Sequence, residues 1–385
     1  MTTSPRTTAG SLSADAGLLY SDVEDDLRRE LRALLTDRCP SADLPARVET
    51  GQAHDVGLWT ALAGELGVAG LPVPMETGGA GAGWRETAVV LEELGRAAAP
   101  VPYLTSSVLA TAALLAAGDD RLLPGTAAGD RIAALALPFS SPPDLPFPDT
   151  VAHAGGGLTG TVTSVAGALS ADLLLVPASG DDGPGLYAVD TAAAGDTVRR
   201  TARCSLDLTR PLADVALHAA PATALVTGDE ADRVLRRALI TGAALLASEQ
   251  LGVAQWCLST TVAYVQERHQ FARPVGSFQA VKHRLADLWA LVMQARAVAR
   301  HAAEALDTGT ADLRLEAALA KAFVSEVVVE AAETALQLHG GIGFTWEHPV
   351  HLYLKRAKSS ALALGTADRH RAALARLVDL SAAED

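Results

Sequence analysis

From about residue 231 to 267 apolar side chains recur at helical spacing without a break, a run longer than most globular helices. Further helical runs cover about 279–306, 311–339 and 349–361, and a last helix starts near 367. Long helices joined by short links must lie antiparallel, which implies a four-helix bundle. The chain before this bundle has two other textures. Residues from about 20 to 120 read as helices, with VEDDLRRELRALLTDRC, DVGLWTALAGELGVAGL and WRETAVVLEELGRAAAP as segments. Asp22 is the expected cap of the first, because a short acidic side chain suits an N-terminal turn. A Gly/Pro-rich loop, 71–83, separates the second from the third. From about 130 to 225, short apolar runs (RIAALALP, GLTGTVTSVAG, ADLLLVPA, GLYAVD, DVALHA) alternate with Gly, Pro, Asp and Ser clusters, the pattern of a small all-β insert. The expected order is a tail at 1–18, a helical domain at 19–128, a β-domain at 129–226 and a bundle at 227–385. The fold class is mainly α with a β insert.

Length and charge narrow the functions. The 385 residues suffice for two or three domains. The formal net charge is −14, so neither a phosphate-neutralising face nor a basic membrane-docking cluster is expected. Apolar residues make up 49% and charged residues 20%, which excludes wholesale disorder. No apolar run is long enough to span a membrane, and the first residues lack the basic start and apolar core of a secretory signal. Cys39, Cys204 and Cys257 are too far apart for a disulfide framework or a zinc site, so no metal is expected and a reduced, cytoplasmic setting is the simple reading.

Two segments carry chemistry. The first runs from Tyr264 through Arg268, Phe271-Ala272-Arg273-Pro274, Phe278, Gln279 and Lys282 to Asp287; an arginine at a helix end leads into a tight turn, and a second helix begins near Ser277. The second is Ala335-Leu336-Gln337-Leu338-His339-Gly340-Gly341-Ile342-Gly343-Phe344, where a helix ends in a glycine pair that allows another molecule close to the backbone. These segments resemble the signatures of the acyl-CoA dehydrogenases, R-x-x-F-G-x-P-I-x-x-x-Q and Q-x-x-G-G-x-G-[FY]. The LGVAGLPVPMETGGAGAG loop, the LEELGR helix and the SADLLLVPA strand resemble family counterparts in the same order.

The resemblance implies an N-terminal helical domain, a middle β-domain and a C-terminal four-helix bundle, FAD at a subunit interface, and α,β-desaturation of an acyl-CoA thioester. It implies that Arg268 offers a planar guanidinium fork to the pyrophosphate of a neighbour's FAD. Phe271 would pack on the adenosine, with Phe278 and Gln279 adding nucleotide contacts. Gln337, Leu338, Gly340 and Gly341 match the stretch that approaches the partner's cofactor, and Thr366 matches a further cofactor position.

The departures are as informative. The family removes the α-proton with a carboxylate base while the flavin takes the β-hydrogen as hydride. With Lys355-Arg356-Ala357-Lys358 aligned to the family's R-D-A-K, the base of its Y-E-G-T motif falls on Leu364. The alternative family base, twenty-nine residues before Phe271, falls on Gly242. The L-T-E-P-x-A-G-S-D flavin loop is replaced by Leu137-Pro138-Phe139-Ser140-Ser141-Pro142-Pro143, and the W-x-T strand by the region of Thr163-Ser164-Val165. This combination resembles the non-catalytic partner of α2β2 members that handle bulky substrates such as sterol side chains. Three readings follow: a subunit that completes a partner's FAD site, a self-sufficient homotetramer that uses Glu249 as a displaced base, and a flavin-free scaffold. Glu249 can equally be a structural polar group on its helix. His283 and His339 read as helix-surface or interface polars.

Overall fold

The computed structural model describes residues 19–180, 183–309 and 312–379; the expected tail at 1–18 lies outside them. The helical start comprises α1 (Asp22–Arg38), α2 (Leu44–Glu49), α3 (Val56–Thr60), α4 (Trp84–Arg96), α5 (Thr111–Ala117) and α6 (Leu123–Ala127). Ser21, not Asp22, caps α1: its hydroxyl accepts the Glu24 N–H and the Glu24 carboxylate accepts the Ser21 N–H, a reciprocal capping box. Asp22 instead joins the acidic first turn, where the helix dipole favours it.

An eight-stranded sheet follows, from β1 (Ala133–Leu135), β2 (Val151–Ala154), β3 (Gly157–Ala166), β4 (Leu173–Gly180), β5 (Gly183–Asp190), β6 (Val198–Arg203), β7 (Leu212–Pro221) and β8 (Thr223–Thr227), with a one-turn α7 (Thr191–Ala194) between β5 and β6. Its path is β6-β7-β3-β2-β4-β5-β8, with β1 parallel to β4. The β4–β5 register runs unbroken from Leu173↔Asp190 to Gly180↔Gly183. One face packs Leu158, Val162, Leu174, Val176, Val215 and Leu217 into a core of its own, while Leu135, Leu137 and Phe139 point into the helical core.

The bundle holds α8 (Asp229–Glu267), a two-residue hairpin of β9 (His269–Gln270) and β10 (Arg273–Pro274), α9 (Gln279–Thr308), α10 (Leu313–His339), α11 (Val350–Leu362) and α12 (Ala367–Leu377). Helix α10 is central and touches α8, α9, α11 and α12. Helix α8 also packs along α4, and two glycines make that crossing close. A Cβ on Gly95 would strike the Glu249 carbonyl, and one on Gly252 would strike the Glu92 carbonyl and stand 2.7 Å from Arg96 N. Both obstacles are backbone and cannot swing aside. Gly252→Ala is therefore expected to cost about 1–3 kcal/mol through overpacking, read as a lower urea midpoint at unchanged slope; an unshifted midpoint would refute the close crossing.

Candidate active site and cofactor-contact surface

The two signature segments converge. Helices α8 and α10 end side by side, where the Tyr264 ring stacks on His339 at 4.4 Å and the Tyr264 hydroxyl donates to the His339 carbonyl at 3.3 Å. Arg268 is the residue that caps α8. Its N–H reaches Tyr264 O at 2.9 Å and its carbonyl accepts from Val275 N at 2.7 Å, which closes the hairpin. Its exposed guanidinium meets no carboxylate among the described residues. The hairpin turns on Phe271 and Ala272, with φ of 53° and 62°. The second of these is alanine where the family signature has glycine, so the turn carries left-handed strain. Phe271 is 87% exposed; its ring meets Phe278 edge-on at 6.1 Å, and Arg273 lies 3.9 Å over the Phe278 ring. Gln279 opens α9, exposed. Across from it, Gln337 is exposed and Leu338 half-buried at the end of α10. Gly340 leaves the helix at φ 62°, and Cβ atoms on Gly340 or Gly341 would meet nothing within 4 Å. The result is an open, cationic and aromatic surface with exposed backbone.

Thr366 is elsewhere, on the turn between α11 and α12, where its hydroxyl caps α12 by accepting Arg369 N at 3.4 Å. That turn also holds Leu364, which is buried, with φ 54°. A bulky residue in this conformation is strained, and the turn persists because its surroundings hold it. Leu364 N donates to Phe139 O at 2.8 Å, and His370 Nε2 donates to Leu364 O at 2.8 Å. Burial pushes His370 down to about 4, so its ring is neutral at pH 7.

Leu364 and Gly242 face each other. A Cβ on Gly242 would stand 3.2 Å from Leu364 Cδ1 and collide with Leu109. Around them Thr105, Leu109, Leu135, Leu137, Phe139 and Leu239 leave about 20 Å³ of open space. That holds a water or so, and neither a flavin ring nor an acyl chain. Sequence reasoning singled out Leu364 and Gly242 as the positions where a family base is expected, but it missed the packing of Leu109, Phe139 and Leu239 around them. The one available signal was the apolar loop Leu137-Pro138-Phe139 in place of hydroxyls.

Glu249 lies in a different setting. It is 2% exposed and accepts from Arg356 Nε at 3.0 Å and from Arg210 Nη2. Arg356 also donates to Thr209 Oγ1 at 2.7 Å and lies 3.6 Å from Asp207. Burial raises the Glu249 pKa, yet the two guanidiniums outweigh it and hold the carboxyl below its ordinary value. A base needs a free lone pair facing its substrate, and both Glu249 oxygens are engaged. Its geometry is that of a tie between the β6–β7 loop, α8 and α11, not of a displaced base.

A cleft of about 400 Å³ opens beside His370 between α8, α10 and α12. Arg236, Arg314, Arg369 and Arg376 line it over Ile240 and Ala317. Asp144 accepts from Arg369 at 3.1 Å and Arg376 at 2.8 Å, while Asp232 pairs with Arg236 and Asp312 with Arg314.

A helical start, a sheet and a bundle whose helix ends present an arginine, a Phe turn and a glycine pair define one class of protein. Family models for the acyl-CoA dehydrogenase N-terminal and C-terminal domains match residues 21–130 and 233–378. The chain belongs to the acyl-CoA dehydrogenase family, whose members are FAD-dependent oxidoreductases acting on CH–CH bonds. It is 36% identical to acyl-CoA dehydrogenase IpdE2 of Mycolicibacterium smegmatis over 89% of this chain and 94% of that protein. Among solved structures, the steroid ACAD Tcur3481-Tcur3483 (a G363A variant) is 34% identical, with a TM-score of 0.81 over 93% of this chain and 98% of that one. The ChsE4-ChsE5 complex from Mycobacterium tuberculosis is 30% identical, with a TM-score of 0.83 over 95% of this chain and 100% of that one. The order of helical start, sheet and bundle expected from sequence agrees with these relatives. Among the described residues no helix is long and apolar enough to cross a membrane.

Proposed function

We propose that this chain is the base-lacking subunit of a hetero-oligomeric acyl-CoA dehydrogenase and completes a FAD site held by a partner subunit. The observation that carries this reading is the apolar closure around Leu364 and Gly242, which leaves about 20 Å³ where proton abstraction would occur. The small space around Leu364 leaves no room for a flavin there. What supports a site on the outer surface is that Arg268 has no carboxylate partner among the described residues and that the Gly340-Gly341 backbone is open. When bound, FAD accepts the substrate's hydride. The part of this chain is to bind and orient: Arg268 neutralises pyrophosphate charge, Phe271 and Phe278 offer aromatic faces with Gln279 beside them, and Gln337 with the glycine backbone lies against the nucleotide. Two solved relatives are named as pairs of proteins, and one of them is called a steroid enzyme. A bulky acyl-CoA is thus the substrate class to test. The arginine-lined cleft suits a polyanionic carrier such as CoA, although its charges are largely balanced by Asp144, Asp232 and Asp312. The homotetramer reading requires a base, and Glu249 is tied up. A flavin-free scaffold would have no use for an exposed Arg268, without a carboxylate among the described residues, and an open glycine pair.

The experiment is co-expression with an adjacent dehydrogenase-like gene, then flavin content and turnover of short, medium and sterol-type thioesters with an artificial electron acceptor. The isolated chain is expected to turn over none of them, because a missing base alone costs about 10²–10⁴-fold, and the pair is expected to be active. Robust turnover by the isolated chain would overturn the proposal. Within the pair, Arg268→Ala removes a charge-assisted contact of about 1.5–3 kcal/mol, so flavin retention should fall roughly ten- to hundredfold. Arg268→Lys should rescue it only partly, since an ammonium lacks the planar fork. Unchanged flavin stoichiometry in Arg268→Ala would reject the assignment.

A further inference from the structure

Every arginine from residue 28 to 131 but one has a carboxylate within ion-pair distance among the described residues. Arg28 meets Glu92 and Glu93, Arg32 meets Glu93, and Arg38 meets Glu65. Arg29, Arg47, Arg85, Arg121 and Arg131 each have an acid of their own. Arg96, the last residue of α4, is half-buried and has none. Burial is the strongest influence on it and lowers its pKa, Arg32 repels it, and Glu93 and Glu92 attract it only from beyond ion-pair distance; a cation partly removed from water with no carboxylate in contact is costly to keep. Arg96 lines a cleft of about 240 Å³ between α1, α4 and α8.

Stacking and ion pairing hold the groups that line the cleft. Its floor is Trp256, stacked on Tyr353 at 3.5 Å with rings nearly parallel, and the Tyr353 hydroxyl donates to the Arg96 carbonyl at 2.8 Å. One wall is Arg32, locked on Glu93 by two bonds of 2.9 and 2.6 Å, a pair that contributes no net charge. Leu35 and Cys39 supply apolar surface; burial pushes the Cys39 thiol up to about 11, so it is a neutral wall and not a nucleophile. One guanidinium fork with no carboxylate in contact, beside the small part of the Trp256 ring that reaches the cleft and with Arg32 neutralised by Glu93, matches a planar monoanion. A phosphate would require more positive charge.

We infer that the α1–α4–α8 cleft is a binding site for a small carboxylate with a flat apolar body, whose carboxyl pairs with Arg96 and whose body lies on Trp256. The site uses none of the residues assigned to flavin or thioester contact, so its test does not depend on dehydrogenase activity.

Isothermal titration of the purified full-length chain with phenylacetate and with its neutral isostere phenylacetamide tests this. Phenylacetate should bind at one site at least about tenfold more tightly than the amide, because charge-assisted pairing distinguishes them, and inorganic phosphate should not displace it. Arg96→Met should abolish the preference and Arg96→Lys should retain part of it, with circular dichroism confirming that both variants are folded. If Arg96→Met fails to fold, the acid-versus-amide comparison on the natural chain decides alone. Equal binding of acid and amide, no binding of either, or a preference that survives in folded Arg96→Met overturns the inference.

Discussion

Glu249→Gln is expected to destabilise the protein by about 3–5 kcal/mol, the usual penalty for breaking a fully buried ion pair from one side. The reason is that Arg356, 2% exposed, and Arg210, 7% exposed, would be left facing a neutral amide with no water to replace the charge. The Tm should drop by roughly 4–6 °C for a chain of this length. Combining Glu249→Leu with Arg210→Met should recover most of the loss, since apolar replacement of a buried pair is often neutral and Arg356 keeps Asp207. The folded pKa of Glu249 lies below its unfolded value of 4.5, so this stabilisation is present above about pH 4.5 and is lost as pH falls through the folded value. The same variant separates two roles. A structural tie lowers Tm, whereas a displaced base would leave Tm unchanged and abolish turnover in the isolated chain, and that second outcome would revive the self-sufficient reading.

Lys321→Met should remove a pH dependence of stability. Lys321 is completely buried and gives its three protons to Ser325 Oγ at 2.8 Å, Ser360 O at 2.8 Å and Ala361 O at 3.2 Å, with no carboxylate in contact among the described residues. Burial lowers its pKa from 10.5 to about 7. Below pH 7 both folded and unfolded states hold the proton, and the full cost of burying the charge is paid. Between pH 7 and 10.5 the unfolded chain keeps the proton while the folded one sheds it, so stability rises with pH by up to about 1.4 kcal/mol per unit. The neighbouring His370 does not confuse the window, because its transition lies near pH 4 in the fold. Denaturant titrations from pH 7 to 9 should show this slope in the natural chain and a flatter one in Lys321→Met. Identical slopes would mean that the ammonium is not desolvated as the packing implies.

Much of the bundle was legible because its signal is local. The spacing that predicts helices at about 231–267, 279–306 and 349–361 corresponds to α8, α9 and α11 within a few residues, since one long apolar stripe specifies both a helix and its buried face. The strands were legible in part. β3, β4, β5 and β7 carry apolar runs, whereas β2 and β8 are short and β6 (VRRTAR) is an exposed edge strand whose arginines discourage further pairing. Capping was misread by one residue at Asp22, because Ser21 and Asp22 both suit the position and only the reciprocal Glu24 bond decides.

The sequence by itself determined which side chains are available: counting from Lys355 and Phe271 gives Leu364 and Gly242 at the two positions proposed for a base, and no packing can make either accept a proton. Only the tertiary structure decided that these two positions face each other, that Leu109, Phe139 and Leu239 close in around them, and that Glu249 is tied to Arg210 and Arg356. The physical reason is range. Proton affinity belongs to a side chain, and helical periodicity extends over a few turns. Whether a cavity is open, or a charge paired, depends on residues tens to more than a hundred positions apart, such as Glu249 with Arg210 and Arg356, whose meeting no local pattern encodes.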